Sequence, residues 1–506
     1  MKIINKIIKP ITFSIVICAL SGCDLEEYPY GFYSENNFYK TVDEAESSLM
    51  YAYNPLSMTE YVTGLYFLGE LPTETVSLKS GEDTKNPGSQ ALDEWNISNN
   101  QNNSVLQQFF KYCYIAINRA NAVIDNVNNA TFNEEDKKRI LGEAHFLRGY
   151  SYFNLVKNFG LVPLQKKMVS TVDDTQPKMA KDMDEMYNFM IEDFKLAHEY
   201  LSYTRKVGRA NRAAAEGFLA KLYLTAASSK ESGVKLYSEM SMSVDDMYNE
   251  AAKWAKQVLD VSVSGKADIG LSEDLYDIYD VDKPDGPEHL FMMSMDRSGL
   301  NPGNYSSIGM YFAPNNNGND YFAKYKDKVF PVHYGFEVFQ TNDDFYDSYN
   351  ASDIRKTQLM NTELYNADGT SGGSAIYPYT LKYTDPKQVT EGTVDKSSIK
   401  PYLLRFTDVA LMYVEAVGSD EGGWLKKIRE RAGLANIPSG LSKEDFRAKV
   451  IEERGYELAF EANRLYDLRR KGMVTRVDEN AKRAGITESD AAFYPIPQME
   501  QDLNKQ

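Results

Sequence analysis

Apolar residues recur at spacings of three and four positions through most of the first half of the chain. This spacing places them on one face of an α-helix, which has about 3.6 residues per turn. We therefore predict helix after helix between residues 42 and 260, and helical pattern again from residue 403 onward. The pattern is clearest in residues 103–127, 134–158, 181–202, 210–228 and 244–260.

Some of the predicted helices are apolar on more than one face. In residues 210–228, small side chains share one face with Leu224, whereas Phe218 and Leu222 form a second face. Helices that are buried on two faces in succession indicate stacked helix pairs, as in tetratricopeptide arrays. The loops between the helices vary in length, so the period of about 34 residues typical of such arrays is absent, and a plain helical bundle is the alternative.

Residues 262–402 have a different composition. They are rich in Gly, Asn, Asp, Pro and Tyr, and no long helical period runs through them. The segment has too many aromatic residues for a disordered linker, so we predict an ordered, loop-rich insertion with short strands. The predicted fold class is mainly α: a tetratricopeptide-like scaffold of helix pairs in a right-handed superhelix, which carries this large insertion.

The predicted organisation follows these changes in pattern. Residues 1–22 form a signal peptide, 23–261 an amino-terminal helical region, 262–402 the insertion that provides the ligand face, and 403–506 a C-terminal helical region. We expect the last three regions to form one compact unit.

The first residues have the pattern of a secretory signal. Three Lys among apolar residues precede an apolar run that is too short to span a bilayer as a stable helix. Small residues then precede Cys23, which resembles the bacterial lipoprotein box, where the Cys thiol is acylated and becomes the new first residue. We predict that acyl chains on Cys23 hold a soluble body to the membrane. The acidic residues Asp24, Glu26 and Glu27 resemble the surface-export signal of some Gram-negative lipoproteins.

Cysteine usage agrees with this placement. Of the three Cys, Cys18 leaves with the signal and Cys23 carries lipid, so Cys113 has no partner for an internal disulfide. Cys113 lies between two Tyr in a helical pattern and is predicted to be a small buried apolar residue.

Charge and composition restrict the partners. The chain has 506 residues, of which 73 are acidic and 56 basic, giving a net charge of −17, and the mature part contains no basic block of five or more. This balance argues against nucleic acid and against electrostatic docking on anionic lipid. Tyr is abundant, with 36 Tyr against 24 Phe and 3 Trp, and Tyr suits the recognition of half-polar ligands and protein partners. Most of these Tyr are nevertheless predicted to be half-buried at helix seams.

The sequence contains no pattern typical of a catalytic site. The four His lie far apart and outside any metal-ligand spacing. Neither a Gly-x-Ser-x-Gly turn between strand and helix nor a Gly-rich phosphate loop is present. Residues 280–286, DVDKPDG, resemble a calcium loop but place Pro284 at a ligand position. We therefore predict a protein that is not an enzyme and uses no cofactor or metal.

A late segment, residues 453–472, concentrates opposite charges: ERGYELAFEANRLYDLRRKG. If helical, it places Arg454 beside Glu457 and Glu461 beside Arg464 on one face. Balanced pairs favour a structural brace, because an active site more often has unbalanced charge or an isolated group with a shifted pKa. We predict that these pairs fix a late helix against its neighbours.

Several stretches resemble the SusD/RagB family of surface nutrient-binding lipoproteins, and the resemblance runs nearly end to end. They are CDLEEYPYGFYSENNFYKTVDEAESSLMYAYNPL after the lipoprotein box, GEAHFLRGYSYFNLVKNFGLVPL, LLRFTDVALMYVEAV, and VIEERGYELAFEANRLYDLRRKG with the later FYPIPQME. The resemblance implies tetratricopeptide-like helix pairs as a scaffold and irregular loops as the ligand face. It also implies a partner, a SusC-like TonB-dependent outer-membrane transporter over which such a lipoprotein closes as a lid.

The predicted ligand contacts lie in two loops. Family members mostly bind oligosaccharides without cleaving them, with aromatic rings against sugar faces and amides or charged groups against hydroxyls. The early loop ALDEWNISNNQNN resembles a family ligand loop and offers Trp95, Asn99 and Asn100. The insertion offers Tyr305, Tyr311 and Tyr321. A core role is the alternative for each aromatic residue, and Trp254 and Trp424, which lie in helical patterns, are assigned to packing.

Three functions from different classes are consistent with these observations. The first, which we favour, is a noncatalytic lipoprotein of the outer-membrane surface that binds oligosaccharides and delivers them to the transporter. The second is capture of peptides or another nutrient on the same fold, as the RagB branch of the family implies. The third is a secreted glycoside hydrolase, which would need paired acids in one cleft, or a helical-repeat adaptor, which would need no concave aromatic site.

Overall fold

Long helices form the first half of the protein, as the apolar spacing predicts. The computed structural model describes residues 39–79, 87–96, 101–299, 304–393 and 396–503. The helices before residue 270 are α1 Val42–Tyr53, α2 Thr59–Gly69, α3 Pro87–Asp93, α4 Ser104–Val127, α5 Glu134–Phe159, α6 Met183–Tyr200, α7 Arg212–Glu231, α8 Lys235–Ser238 and α9 Val244–Ser264. The long segments predicted from the sequence are therefore helical, with ends shifted by a few residues.

Polar residues determine where these helices begin. The side chains of Asn103, Asp182, Asn211 and Ser243 each accept a hydrogen bond from a backbone N–H in the first turn of α4, α6, α7 and α9, respectively. Such caps satisfy N–H groups that have no partner within the helix. They explain why α6 begins at Met183, after its predicted start at residue 181.

Each long helix packs against the next long helix along the chain. α4 packs on α5, α5 on α6, α6 on α7 and α7 on α9, and α9 also contacts a helix at Phe406–Val417. Small residues on α7 permit close approach, since a Cβ at Gly217 would lie only 2.5 Å from Leu404 Cδ2. Ala213 and Ala220, on the same face of α7, are fully buried. This succession of paired helices confirms the predicted mainly α, tetratricopeptide-like scaffold.

Short strands and short helices build most of the region between residues 270 and 405. The strands there are β2 His289–Met292, β3 Tyr321–Tyr325, β4 Lys328–Val332, β5 Phe339–Thr341, β6 Met360–Tyr365, β7 Ser371–Thr380 and β8 Tyr402–Arg405, and β1, Val76–Leu78, comes from the first half of the chain. β1 pairs with β5 and β2 with β8, and the other strands form an antiparallel sheet in the order β4-β3-β6-β7. The short helices are α10 Ile308–Phe312, α11 Asp343–Ser348, α12 Ile354–Thr357 and α13 Pro386–Thr390. Short strands in this region agree with the predicted fold class.

The C-terminal part is again helical. Its helices are α14 Phe406–Val417, α15 Trp424–Arg431, α16 Lys443–Glu457, α17 Arg464–Lys471, α18 Val474–Val477, α19 Glu479–Ala484, α20 Glu488–Ala491 and α21 Gln498–Leu503. α14 packs against α7, α9 and α16, so the C-terminal helices continue the scaffold. Single 3₁₀ turns occur at Asn54–Ser57, Asp173–Thr175, Tyr276–Ile278, Asn316–Gly318 and Glu421–Gly423.

Two hydrophobic clusters hold these elements together. The larger cluster extends from α1 to the C-terminal helices, and the smaller one lies against the four-stranded sheet. Cys113 is fully buried in the larger cluster, as predicted, and its thiol is free. Trp254 and Trp424 are also buried in it, which agrees with their assignment to packing.

The predicted lipid attachment site lies outside the described residues, together with the signal-like segment and the acidic residues that follow Cys23. Among the residues that the structure describes, none of the helices combines the length and the apolar character needed to cross a bilayer.

The charged segment at residues 453–472 is not one helix, so this part of the prediction is wrong. α16 ends at Glu457, and a turn separates it from Arg464, the first residue of α17. In that turn Phe460 and Ala462 have φ angles of 68° and 56°, in the left-handed region that residues with a Cβ rarely adopt. The turn changes the direction of the chain, and the charged side chains therefore find other partners than the predicted ones.

A buried carboxylate holds this turn. Glu70 is fully buried, and its two oxygens accept hydrogen bonds from the backbone N–H groups of Phe460 and Ala462 at 2.8 and 2.9 Å. Thr75 Oγ1 donates a third bond to Glu70 at 2.9 Å. Burial raises the pKa of Glu70 to about 7 in spite of these bonds. α2 approaches the turn closely, since a Cβ at Gly69 would lie 2.6 Å from Ala462 O.

Glu461 lies at the centre of a buried ion cluster. Its carboxylate accepts hydrogen bonds from Arg405 Nε at 2.8 Å, Lys382 Nζ at 2.7 Å and the Tyr279 hydroxyl at 3.0 Å. Burial alone would raise the pKa of Glu461, but the charges of Arg405 and Lys382 hold it below its usual range.

The neighbouring charges also form ion pairs, most of them with residues outside the segment. Arg454 contacts Asp408 at 2.7 Å and Asp467 at 2.8 Å, and Glu457 accepts from Arg355 at 3.0 Å. These contacts agree with a structural brace, whereas the predicted partners within the segment are wrong. The error arises because the spacing of the side chains gives no sign of the turn that interrupts the helix.

Candidate functional site

An open cleft lies between β1, α11 and the C-terminal helices, with a volume of about 780 Å³. Small-molecule sites have volumes of roughly 300–1,000 Å³, so the cleft is large enough to hold a ligand of several rings. It is lined by Glu74, Ser77, Asn342, Asp343, Asp344, Phe345, Ser348, Glu452, Gly455, Tyr456, Arg464, Val477, Asp478, Glu479, Asn480 and Arg483.

Hydrogen bonds between distant segments fix the walls of the cleft. Asn342, just before α11, donates from its backbone N–H to Thr75 O at 3.1 Å and from its amide to Glu74 O at 3.0 Å. The Arg464 guanidinium, at the start of α17, donates to Glu74 Oε1 at 2.7 Å. Gly455 leaves room for that guanidinium, since a Cβ there would lie 2.8 Å from Arg464 Nη1. The turn after α16 thus brings α17 to the cleft, and ordered contacts hold the site in shape before a ligand arrives.

Two aromatic side chains line the cleft. Tyr456 is half-buried, its ring centroid lies 4.5 Å from that of Tyr349, and its hydroxyl donates to Ser348 O at 3.1 Å. Phe345 is buried, with its ring centroid 6.4 Å from that of Tyr456. A partly exposed ring in a polar cleft packs against the apolar face of a ligand and leaves the ligand's polar groups to the surrounding side chains.

Carboxylates dominate the charge of the cleft. The guanidinium of Arg464 is already paired with Glu74, which leaves Arg483 as the other lining cation among the described residues. The acidic lining residues are Glu74, Asp343, Asp344, Glu452, Asp478 and Glu479. Because carboxylates only accept hydrogen bonds when ionised, the cleft suits a ligand with many hydroxyl or ammonium donors and disfavours an anionic one.

A pair of carboxyl groups supports one wall. Asp93 accepts hydrogen bonds from Leu78 N at 3.3 Å and from Asn480 Nδ2 at 3.2 Å. Burial, with a contribution from the neighbouring Asp478 carboxylate, raises the pKa of Asp93 to about 7. Burial also raises the pKa of Asp478, which caps α19 by accepting a hydrogen bond from Ala481 N at 3.2 Å.

Trp95, a predicted ligand contact, lies behind this wall. Its side chain is 3% exposed, and its Nε1 donates to Asp478 Oδ2 at 2.5 Å. Its backbone φ is 53°, in the left-handed region, which costs a bulky residue about 1–3 kcal/mol. In this conformation the indole supports Asp478 and presents no open face to the cleft. The other two predicted contacts in this loop, Asn99 and Asn100, lie outside the described residues.

The three predicted Tyr of the insertion lie in different surroundings. Tyr305 is half-buried, with Lys396 Nζ 5.1 Å from its ring centroid. Tyr311 is half-buried and packs edge-on against rings from α2 and β5. Tyr321 is buried in the smaller hydrophobic cluster. Within the described residues, no ring contact joins two of these Tyr or links one of them to Trp95.

Sequence reasoning missed most of the cleft, because its lining comes from segments that are far apart in the chain. Tyr456 and Arg464 lie in a stretch that the charge pattern marks only as a brace. One local signal does exist: residues 342–350, NDDFYDSYN, mix acidic, amide and aromatic side chains in a way that is typical of a polar binding wall.

The cleft has no arrangement typical of a metal site. In the parts of the chain that the structure describes, no group of three or more His, Cys, Asp and Glu side chains is placed to hold a metal ion. In the segment that resembles a calcium loop, Asp282 is paired with Lys387 at 2.5 Å, and Asp280 accepts a hydrogen bond from Asp282 N at 3.0 Å. These carboxylates thus have partners within the chain.

Profiles of known protein families match the chain in two segments. The profile described as SusD family matches residues 234–506, which is more than half of the chain. The profile described as starch-binding associating with outer membrane matches residues 40–224.

Individual proteins match over nearly the whole length. SusD-like protein P2 from Formosa agariphila is 26% identical over 501 residues, which cover 91% of this chain and 90% of that protein. A laminarin binding SusD-like protein of known structure has a TM-score of 0.73 at 20% identity, and the match covers 92% of this chain and 98% of the other. Surface glycan-binding protein A from Bacteroides fluxus has a TM-score of 0.72 at 22% identity, with 91% and 96% coverage. These two structures share the fold of this chain.

Proposed function

Because the chain belongs to the SusD family, we propose that it is a noncatalytic surface lipoprotein that binds oligosaccharides and delivers them to a SusC-like TonB-dependent outer-membrane transporter. One observation carries this proposal: an open cleft of about 780 Å³ combines a half-buried Tyr ring with carboxylate, amide and guanidinium groups. That two proteins with the same fold are described as binding laminarin or surface glycans supports a saccharide ligand.

An oligosaccharide fits the cleft through two kinds of contact. The apolar face of one sugar ring packs on Tyr456, and its hydroxyls donate to the exposed carboxylates of Asp343 and Asp344. Arg483, which is exposed on α19, donates to ring or hydroxyl oxygens. Each contact is weak, and affinity comes from several contacts along the chain of sugars.

The residues expected from the sequence extend this site. Tyr305 and Tyr311 are half-buried, do not line the cleft, and remain proposed contacts for further sugar units. Trp95 reaches a ligand only if its hydrogen bond to Asp478 breaks. Asn99 and Asn100, next in the same loop, remain proposed contacts. Tyr321 is the least accessible of the six, since it is 3% exposed.

One carboxyl group of the cleft, that of Asp478, is not free to act on a glycosidic bond. A glycosidase needs one carboxyl group free to give a proton and a second one free to act on the sugar or on water. Asp478, whose pKa burial raises, is engaged by the Trp95 indole and by the Ala481 N–H. It therefore serves as a helix cap and as part of the wall.

The proposed location rests on the amino terminus and on the second family profile. The residues before Cys23 resemble the lipoprotein box, and the profile at residues 40–224 describes association with the outer membrane. A lipid on Cys23 would hold the body at that membrane, where the cleft can pass its ligand to a transporter.

A second candidate ligand is a basic peptide, and the charge of the cleft favours it. Lys or Arg side chains would pair with Asp343, Asp344, Glu452 and Glu479, all of which are exposed. Peptide capture on this fold would keep the same location and the same transporter partner.

Calorimetric titration of the protein from residue 24 onward separates these candidates. The panel contains neutral oligosaccharides, including laminarin fragments, and mixed peptides. We expect saccharide binding without hydrolysis products, a clear loss of affinity in Tyr456→Ala, and a smaller loss in Asp344→Asn. Tyr51→Ala is the matched control, because Tyr51 is an exposed aromatic residue on α1 that does not line the cleft. Peptide binding alone would favour the second candidate, and saccharide binding that is unchanged in Tyr456→Ala would show that the ligand lies elsewhere.

A further inference from the structure

A second, much smaller cavity lies on the helical scaffold, where α5, α7, α8 and α17 meet. Its volume is about 20 Å³, and it shares no lining residue with the cleft. Its walls include Lys157 from α5, Ser229 from α7, Tyr237 from α8 and Arg469 from α17. A space of about 10–15 Å³ holds one water molecule, so this cavity has room for a single small occupant.

Two cationic side chains point to what that occupant is. Lys157 and Arg469 both line the cavity, and neither forms an ion pair with any carboxylate among the described residues. Lys157 Nζ lies 4.0 Å from the ring centroid of Tyr466, a cation–π contact. Burial, together with the charges of Lys221 and Arg469, lowers the pKa of Lys157 well below its usual value. Without a carboxylate nearby, protonation of Lys157 beside Arg469 is therefore unfavourable, and a bound anion would favour the protonated form.

The guanidinium of Arg469 is incompletely satisfied as well. Arg469 is 6% exposed; its Nε donates to Ala491 O at 2.7 Å and its Nη1 to Lys157 O at 3.4 Å. Its Nη2 is buried and has no hydrogen-bond partner among the described residues. A buried charged donor without an acceptor is costly, and native structures rarely leave one unless an ion or a water fills the place.

The adjacent arginine shows how this fold treats a buried cation in other places. Arg470 lines the same cavity, but its guanidinium pairs with Glu415 at 2.5 Å and with Asp467 at 2.8 Å. Lys221 similarly pairs with Asp408 at 3.0 Å. Compensation by carboxylates is thus the rule in this part of the scaffold, and Lys157 with Arg469 is the exception.

One further donor faces the cavity. The Tyr237 oxygen accepts a hydrogen bond from the Tyr187 hydroxyl at 3.1 Å, and no acceptor for the proton of Tyr237 lies among the described residues. The cavity is therefore surrounded by groups that donate hydrogen bonds and carry positive charge.

We propose that this cavity binds one small inorganic anion of the size of a halide, held between Lys157 Nζ and Arg469 Nη2 with the Tyr237 hydroxyl as a third donor. The small volume favours a halide over phosphate or sulfate, each of which is several times larger than one water molecule. The anion compensates both cations and links the end of α5 to α17 and to the segment after α20. This role is structural and independent of the saccharide ligand.

Bromide is the probe for this site, because it replaces chloride and gives an anomalous X-ray signal. In crystals of the full chain grown with sodium bromide, we expect an anomalous peak between Lys157 and Arg469. In solution, we expect Tm to rise saturably with sodium chloride or bromide and to rise less with sodium gluconate at equal ionic strength.

Variants separate specific binding from general salt effects. Lys157→Met keeps a similar side-chain length and the contact with Tyr466, and it should abolish the difference in Tm between halide and gluconate. Lys256→Met is the control, since Lys256 is on the exposed face of α9 and pairs only with Asp260 among the described residues; it should retain that difference. Electron density between Lys157 and Arg469 without an anomalous signal would mean that a water fills the cavity, which would overturn the proposal. The same Tm for the wild type in halide and in gluconate would also overturn it.

Discussion

Replacing Glu461 by Gln tests the buried ion cluster that holds the turn after α16. The substitution keeps the size of the side chain and removes its charge. Glu461 and Arg405 are 5% and 1% exposed, and Glu461 is the one carboxylate paired with Lys382 among the described residues. Removing one partner of a buried ion pair typically lowers stability by about 3–5 kcal/mol, because the remaining charge stays in a medium of low polarity.

Two features determine where in that range the loss falls. Arg405 keeps a second carboxylate, Glu288, at 2.6 Å, and Lys382 keeps the carbonyl oxygens of Glu457 and Ala459 at 2.9 and 3.0 Å. Burial already lowers the pKa of Lys382, so in the variant this side chain can lose its proton and relieve part of the penalty. We therefore expect a decrease of about 3 kcal/mol in the free energy of unfolding, near the lower end of the range.

Urea unfolding followed by circular dichroism measures this decrease, and saccharide titration should give unchanged affinity because Glu461 does not line the cleft. Asp260→Asn is the control: it removes an exposed pair with Lys256 at 2.6 Å, and we expect a loss of about 0.2–0.5 kcal/mol. The double variant Glu461→Gln with Lys382→Met should be more stable than Glu461→Gln alone, because no unpaired cation remains. If Glu461→Gln lost no more stability than Asp260→Asn, the reasoning would be refuted. It would also be refuted if Glu461→Gln lost saccharide affinity at an unchanged free energy of unfolding.

The remaining predictions concern the turn, the wall of the cleft and the lipid. Glu70→Gln should lower the free energy of unfolding by about 1–3 kcal/mol in thermal or urea unfolding, because the amide NH₂ would face one of the two backbone N–H groups that now donate to the carboxylate. An unchanged free energy of unfolding would contradict the role of Glu70. Asp93 has a pKa of about 7 in the folded protein against about 3.9 in an unfolded chain, so it contributes stability below pH 4 that is lost as the pH rises through 7. Asp93→Asn should therefore flatten the fall in Tm between pH 4 and 7, and an unchanged slope would exclude this carboxyl group as its source. Cys23→Ala should move the protein from the membrane fraction to the soluble fraction without a change in Tm, and a variant that stays membrane-bound would exclude lipid on Cys23.

Periodicity was sufficient to predict the scaffold, because helix packing depends on local patterns of apolar residues. The spacing in residues 210–228 identified both buried faces of α7, and the small residues on it have the close contacts expected of them. The flanks of Cys113 and Trp254 likewise indicated burial, and both side chains are buried.

The site was harder to predict, because its geometry depends on long-range contacts that no local pattern contains. Trp95 has the loop position of a ligand residue, yet its indole is bonded to Asp478, a residue from the far end of the chain. Arg464 was assigned a partner within its own segment, whereas the turn directs it to Glu74 and thereby to the cleft. Two left-handed residues with ordinary side chains define that turn, and their types give no indication of such a conformation.

The bonds between Glu70 and the turn after α16 also affect how the protein folds. Phe460 and Ala462 follow Glu70 by 390 and 392 positions, so the turn is completed only when nearly the whole chain has been synthesised. Native contacts across such long separations slow folding, because the loop must close before they form. A fragment that starts at residue 234, where the SusD family profile begins, would lack the acceptor for both N–H groups. We therefore expect the two segments matched by separate profiles to fold and unfold together, and each to be unstable when produced alone.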